Sequence, residues 1–166
     1  QGVGGKKDQG HYTSLSNDGN VAVWCSYSDT VAYVFRRTAG VWQQEKKLSL
    51  YSPNTPYAVD VSAAISGDGN TIAVGNQADS STGAVFVFRY VNSQWILEAK
   101  LRASGVSINQ RFGISVDLSD DGNTLAVGNG IYVADVGGGA WIFKRNGSTW
   151  SQFTNKLLPN DALGRS

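Results

Sequence analysis

Short apolar runs alternate with short polar clusters along most of the chain. The runs are rich in Val, Ile, Phe, Tyr and Trp, and each is bounded by Gly, Asn, Asp or Ser. Such runs are typical of β-strands that are separated by turns. Because no stretch has the apolar spacing of an amphipathic helix, the pattern predicts an all-β chain.

One polar cluster recurs three times with similar neighbours. It begins at Ser16, Ser66 and Ser119, contains Asp-Gly-Asn and leads into an apolar segment, so the repeat is about 50 residues long. Glycine reaches positive φ without strain, and Asp and Asn tolerate it. Each cluster therefore predicts a tight hairpin turn between two strands.

Each repeat offers four strand-like segments. One precedes the turn and one follows it, a third is rich in aromatic residues, and the fourth contains a Trp and ends in Lys-Leu. The third segments are 31–35, 84–88 and 140–143, and the tryptophans are Trp42, Trp95 and Trp150. Four antiparallel strands in about 50 residues describe one blade of a β-propeller.

The predicted fold class is therefore all-β, with β-propeller blades of four antiparallel strands. Three repeats are complete and the first strand of a fourth begins at Leu163-Gly164, which predicts a partial propeller or part of a larger six- or seven-bladed ring. We expect a flexible N-terminal segment at 1–8 and propeller blades over 9–166. The expected blades are about 9–58, 59–110 and 111–160, and the next blade starts at 161–166.

The third strand of the second repeat is apolar on both faces, because Val85 and Val87 alternate with Phe86 and Phe88. A sheet packed between two neighbours buries both faces, whereas a sheet with one solvated face alternates apolar and polar residues. We therefore expect the blades to pack face to face. The tryptophans of the fourth segments share one register and are expected to stack between blades.

Three blades alone would leave two apolar end faces in water. Another polypeptide is therefore the expected partner: the remaining blades of a longer parent chain, a second copy that completes a six-bladed ring, or a heterologous subunit. The chain contains no Met, so Gln1 is not an initiator, which favours a processed or partial chain.

Composition and charge exclude several classes of partner. The net charge is +1 and the basic residues are scattered, which argues against nucleic acid. No apolar stretch reaches the length of a membrane span, so we expect no membrane insertion. Cys25 is the only cysteine, which rules out an intrachain disulfide, and we expect a small buried thiol.

The segment from Phe112 to Gly128 resembles FG-GAP repeats, which occur in integrin α-subunits and in many bacterial, algal and viral surface proteins. The resemblance runs through roughly 9–166 and is clearest in the third repeat. It implies a propeller, usually seven-bladed, that binds other macromolecules, often outside the cell. We therefore expect a protein-interaction or structural module of an extracellular, cell-surface or virion-associated assembly, with cell adhesion among its roles. The alternative is a carbohydrate-binding, lectin-like propeller with glycan partners.

Members of this family often bind Ca²⁺ in the turn between the first two strands, through the order Asp-x-Asp/Asn-x-Asp-Gly-x-x-Asp. The aligned residues of the third repeat are Asp117, Ser119, Asp121 and Asn123. Ca²⁺ needs several converging oxygen ligands, and Leu125 replaces the final Asp. We therefore expect neither a metal nor another cofactor, with these four residues as the one weak candidate loop.

An enzyme would need paired carboxylates, a metal set, or a nucleophile with a base. None is visible, and Asp18, Asp68 and Asp121 recur at one position of the repeat, as residues that serve a fold do. The sequence thus predicts no catalytic residue and a chain that is not an enzyme.

Three loops are the candidate partner-binding sites, since propellers usually bind through loops. The loop between the first two repeats contains Tyr51 and Tyr57, and the loop in the second repeat contains Asp79. The loop in the third repeat contains Ile131, Tyr132 and Val133. The competing interpretation is that these loops only connect blades or pack on a neighbour. Asn146-Gly147-Ser148 is a glycosylation sequon, relevant only in a secretory compartment.

Overall fold

The computed structural model describes residues 9–26, 30–50, 61–130 and 138–159. Within these ranges the chain forms β-strands and a single 3₁₀ turn at Asp79–Ser81. The strands are β1 (Gln9–Leu15), β2 (Val21–Ser26), β3 (Val31–Thr38), β4 (Val41–Ser49), β5 (Val61–Ile65), β6 (Thr71–Asn76), β7 (Ala84–Val91), β8 (Gln94–Leu101), β9 (Phe112–Leu118), β10 (Thr124–Asn129), β11 (Gly139–Asn146) and β12 (Thr149–Gln152).

The strands build three antiparallel sheets of four, each in chain order. The first sheet contains β1 to β4, the second β5 to β8 and the third β9 to β12. The predicted all-β class and the four antiparallel strands per repeat are confirmed. Closure into a ring and the number of blades stay predictions.

The Asp-Gly-Asn turns join the first two strands of every sheet. Their glycines have φ values of 66°, 69° and 64° at Gly19, Gly69 and Gly122, which explains the choice of glycine. Asp68 Oδ1 accepts hydrogen bonds from Ser66 Oγ (2.5 Å) and from the Asn70 backbone N–H (2.9 Å). The same bonds recur in the other two turns, so the repeated aspartate holds the turn.

The second strands show how the sheets are stacked. In β2, Val21 and Val23 are buried while Ala22 and Trp24 are half-buried. Strand β6 is buried at every position, and β10 alternates in the opposite sense to β2. The second sheet therefore lies between the first and the third, which confirms that its two apolar faces are both buried.

Two hydrophobic cores result, and both follow one rule. The first core joins small and β-branched residues of the first sheet, such as Val34, to aromatic and branched residues of the second, such as Phe86. The second core joins Val85 of the second sheet to Trp141 and Phe143 of the third. At each interface a face of small and β-branched residues thus packs against a face of aromatic and branched residues. Burial of the aromatic rings supplies much of the hydrophobic stabilisation.

The inner strands of neighbouring sheets approach very closely. A Cβ atom built on Gly75 of β6 would lie 2.0 Å from the carbonyl oxygen of Gly113 on β9. Ser62 Oγ donates a hydrogen bond to that same oxygen at 2.9 Å. Only a glycine at position 75 permits this contact between the second and third sheets.

Candidate functional site

One face of the first sheet is left open among the described residues, and we call it the aromatic face. When the strands of the three sheets are aligned by their pairing register, each residue of this face matches a residue of the second and third sheets that is part of a hydrophobic core or packs against one. Trp24 stacks on Tyr33 with ring centroids 4.5 Å apart, while Leu15 and Trp42 are 55% and 42% exposed. The aromatic face consists of Leu15, Ala22, Trp24, Tyr33, Phe35 and Trp42.

The third sheet leaves its opposite face open among the described residues, and we call it the small-residue face. The matching positions of the second sheet, including Ala73 and Val85, are buried in the second core. Beside this face Phe153 is 63% exposed and Leu157 is 46% exposed. The small-residue face consists of Ser115, Asp117, Ala126, Gly128, Ala140 and Ile142.

A tryptophan–glutamate hydrogen bond links each pair of neighbouring sheets, and we call it the latch. Trp95 Nε1 donates to Glu45 Oε2 at 2.9 Å, and Trp150 Nε1 donates to Glu98 Oε2 at 2.9 Å. Glu45 and Glu98 are the extra residues where the pairing of β4 with β3 and of β8 with β7 shifts by one. A β-bulge redirects a side chain, and here it turns a carboxylate toward the next sheet.

Arginines accompany each latch carboxylate. Arg36 Nε lies 2.8 Å from Glu45 Oε1. Burial pushes the pKa of Glu45 up, but the hydrogen bonds from Arg36 and Trp95 outweigh it and hold that pKa below its usual value. Glu98 lies between two arginines, at 3.9 Å from Arg89 Nε and 3.5 Å from Arg145 Nη1. Both glutamates therefore act as charged acceptors.

Trp42 is the third tryptophan of the series, and its position differs. Trp95 is buried and Trp150 half-buried at interfaces between sheets, as the prediction of stacking between blades requires. Trp42 instead stands on the open aromatic face, and no carboxylate of the described ranges accepts a hydrogen bond from its Nε1. The repeat pattern did not single out the glutamates, although both stand three residues after a Trp of the repeat.

The predicted loop sites have different outcomes. Tyr51, Tyr57, Ile131, Tyr132 and Val133 lie outside the described residues, so their role in binding stays a prediction.

Asp79 belongs to the described loop between β6 and β7, and its side chain is fully buried. Its Oδ2 lies 2.9 Å from Lys100 Nζ, and its Oδ1 pairs with Arg102. Arg102 also donates to the carbonyl oxygen of Gly83 at 2.9 Å. The Asp79 carboxylate therefore fastens the loop onto β8, and it is the neighbouring Ser80 and Ser81 that are exposed.

The candidate Ca²⁺ loop is a hydrogen-bonded turn. Asp121 Oδ1 accepts from Ser119 Oγ (2.5 Å) and from Asn123 N (2.9 Å), and these bonds hold the pKa of Asp121 below its usual value. Asp117 Oδ1 accepts from Leu118 N at 3.0 Å. In the part of the chain that the structure describes, no three His, Cys, Asp or Glu residues are grouped as a metal site requires.

Two further residues are placed by the structure. Cys25 is fully buried in the first core, and burial raises the pKa of its thiol to about 12, so it packs rather than reacts. Asn146 is exposed at the hairpin between β11 and β12. Among the described residues, no helix has the length and hydrophobicity needed to cross a membrane.

Comparison with protein families agrees with the repeat. Residues 95–143 match the model of the FG-GAP repeat. This stretch is similar to an FG-GAP repeat. The match runs from Trp95 on β8 to Phe143 on β11, so it spans the second interface rather than one sheet. The FG-GAP resemblance is thereby confirmed over this stretch.

Solved structures share the fold at low identity. A "putative 6-phosphogluconolactonase" from Bacteroides uniformis has a TM-score of 0.65 and 14% identity over 95% of this chain and 43% of its own. A second one, from Bacteroides fragilis, has a TM-score of 0.61 and 16% identity over 87% and 38%. The hydrazine synthase of Kuenenia stuttgartiensis has a TM-score of 0.57 and 15% identity over 96% and 40%.

The chain thus spans less than half the length of each of these structures. They support a β-propeller type of fold for the three sheets. No curated protein shows significant similarity to the chain.

The prediction that the chain is not an enzyme was wrong. All three of these similar structures bear an enzyme's name, so this architecture does not exclude catalysis. Propellers place functional groups on loops, and the symmetry of Asp18, Asp68 and Asp121 within the turns says nothing about those loops. At 14% and 16% identity the likeness shows the fold alone and assigns no reaction to this chain.

Proposed function

We propose that the chain supplies three consecutive blades of a β-propeller and acts as a protein-interaction or structural module. Its two open faces bind further polypeptide. The assembly is extracellular, on a cell surface or part of a virion, as the FG-GAP resemblance implies. This proposal is supported by one observation above all: both open faces repeat the surfaces that are buried inside the chain.

The chemistry of the faces favours a polypeptide as the occupant. The aromatic face offers stacked rings, and the small-residue face offers a flat surface of alanine, glycine and isoleucine, with Ser115 and Asp117 exposed along β9. These are the two halves of the interface that the chain builds twice within itself. Repeat proteins bury such faces against a neighbouring unit, because large exposed apolar patches are unfavourable in water.

The native mass of the protein from its natural source tests this proposal. We expect a particle heavier than one 166-residue chain, or a longer polypeptide that contains these residues. Tyr33→Lys on the aromatic face should weaken the assembly, while Val91→Lys should not, because Val91 is exposed at the hairpin end of β7. A lone chain that persists as a monomer in its natural setting would refute the proposal.

The carbohydrate-binding alternative rests on Tyr51 and Tyr57, outside the described residues. No described contact favours it.

A further inference from the structure

The second latch has a complete polar neighbourhood. Trp150 Nε1 donates to Glu98, and Arg145 lies over the Trp150 ring at 5.6 Å while its Nη1 faces Glu98 at 3.5 Å. Arg145 Nε also donates to Asn123 Oδ1 at 2.9 Å, which ties the arginine to the Asp-Gly-Asn turn. The indole of Trp150 and the guanidinium of Arg145, which Asn123 holds in place, thus present two kinds of N–H donor to one carboxylate.

The first sheet contains the same arrangement without the carboxylate. Arg37 lies over the Trp42 ring at 5.7 Å, and Arg37 Nε donates to Asn20 Oδ1 at 3.0 Å. These distances match those of the second latch to 0.1 Å. The donors are therefore already positioned, at the rim of a face whose counterparts are covered.

We propose that Trp42 and Arg37 bind a carboxylate supplied by another four-stranded blade, which covers the aromatic face. That blade carries Glu or Asp at the bulge of its fourth strand and a flat, small-residue surface beside it. The inference rests on the proposed function and names the chemistry of its partner. The two internal interfaces support this inference, because in each of them the equivalent aromatic face is covered by a blade that supplies a glutamate to the tryptophan.

A second copy of this chain does not fit. In the third sheet Phe153 stands three residues after Trp150, where the other sheets have Glu45 and Glu98, and the next residue, Thr154, accepts the Ile142 backbone N–H at its Oγ1 (3.1 Å). Lys144 stands where the first two sheets have Arg36 and Arg89, and its Nζ lies 4.3 Å from the centre of the Phe153 ring. A head-to-tail pair would set Lys144 near Arg37 with no acid between them, which like charges oppose.

The test extends the full chain with an additional blade. A second copy of residues 61–111 is fused to the N-terminal side of residue 9, because it carries Glu98, the flat face of the second sheet and the segment that leads from β8 to β9. The readout is the exchange of the Trp42 indole N–H with water by NMR, assigned with Trp42→Phe. We expect exchange to slow by about tenfold or more, as a hydrogen bond to a charged acceptor implies.

The matched control is Glu98→Gln in the added copy alone, which should return the exchange rate toward that of the unextended chain. Trp150, which already binds Glu98 of its own chain, should not change in either protein. If Trp24 and Tyr33 become buried while Trp42 exchanges freely, the carboxylate inference is refuted and the proposed function stands. If a folded added blade leaves both rings exposed, the proposed function fails as well.

A second variant keeps the inference testable if the added blade does not fold. Phe153→Glu places an acid three residues after Trp150, where Glu45 and Glu98 stand in the other sheets, so a second copy now offers what Trp42 requires. We expect self-association at least about tenfold tighter than for the unchanged chain, reversed by adding Trp42→Phe. Equal self-association of the unchanged chain and Phe153→Glu, or a tight dimer of the unchanged chain with Trp42 protected, would overturn the inference.

Discussion

The indole N–H of Trp150 donates a 2.9 Å hydrogen bond to Oε2 of Glu98, and this bond joins the third sheet to the second. Trp95 and Glu45 repeat it at the same distance between the second and first sheets. The repeat therefore encodes the contact between sheets as well as each sheet. Trp42 carries the same donor to the open face, where the next such contact is expected.

Replacing Trp150 and Trp42 should distinguish an indole N–H that is hydrogen-bonded to a described carboxylate from one that is not. Trp150→Phe removes a hydrogen bond to a charged acceptor, and we expect the free energy of unfolding to fall by about 1.5–3 kcal/mol. Trp42→Phe is the matched control, and in the isolated chain it should change stability by less than about 0.5 kcal/mol. Urea denaturation measures both. Equal losses from the two variants would show that the Glu98 hydrogen bond contributes nothing specific.

Alanine at one position of the repeat should lower stability more in the second sheet than in the third. At Gly75 a Cβ would meet the backbone oxygen of Gly113 at 2.0 Å, so Gly75→Ala must push the second and third sheets apart. Such overpacking typically costs about 1–3 kcal/mol. At Gly128, on the open small-residue face, the closest atom is the Ser115 hydroxyl at 2.3 Å, which rotates away.

Thermal unfolding of the two variants checks this comparison. Gly75→Ala should lower the melting temperature by several degrees more than Gly128→Ala. An isolated chain in which Gly128→Ala is the worse variant would show that the third sheet, and not the second, lies in the middle.

Stability should decrease in acid through the three turn aspartates. Hydrogen bonds from Ser16 and from Asn20 lower the pKa of Asp18 to about 2. Equivalent hydrogen bonds lower the pKa of Asp121, and at Asp68 burial raises the pKa but the equivalent hydrogen bonds outweigh it. Because the folded pKa lies below the unfolded value of about 3.9, the unfolded chain binds more protons in between. Stabilisation is present above about pH 4 and is lost as the pH falls toward about 2.

Denaturant titrations between pH 6 and pH 2 measure this loss. Ser16→Ala removes the largest cause at Asp18, so NMR should find the pKa of Asp18 in this variant closer to its usual value. The Asp68 pKa serves as the internal reference. An unchanged Asp18 pKa in Ser16→Ala would contradict the hydrogen-bond explanation.

Arg102 should contribute more to the stability of the fold than its partly exposed side chain suggests. Arg102→Ala removes one cationic partner of the buried Asp79 carboxylate, which keeps Lys100 Nζ at 2.9 Å from its Oδ2. Removing one partner of a buried charge costs about 1–3 kcal/mol. Adding Asp79→Asn removes the charge that Arg102 compensated, so the double variant should recover part of the lost stability. A double variant less stable than Arg102→Ala would contradict this explanation of the loop.

The fold was largely predictable because turn chemistry and strand composition point to the same structure. Asp18, Asp68 and Asp121 mark the turns by residue type alone, and Val85 to Phe88 indicate a sheet that is buried on both faces. These are local signals, and local preference agreed with the packing.

The candidate site was less predictable for physical reasons. Glu45 and Glu98 resemble solvated strand residues, and it takes the bulge in the pairing register to turn them toward a tryptophan of the next sheet. Asp79 looked like an exposed loop residue because its partners, Lys100 and Arg102, lie more than 20 residues away in sequence. Contacts of this kind depend on register between strands, which residue type does not reveal.

The most direct test of the central claim is hydroxyl-radical footprinting of the protein in its natural assembly and as the isolated chain. Oxidation should fall in the assembly at Trp42 and Leu15 on the aromatic face and at Phe153 beside the small-residue face. Ile108, 70% exposed in the segment between β8 and β9, serves as the reference that should stay equally reactive. If Trp42, Leu15 and Phe153 are oxidised as readily in the assembly as in the isolated chain, these faces bind no polypeptide, and the central claim is contradicted.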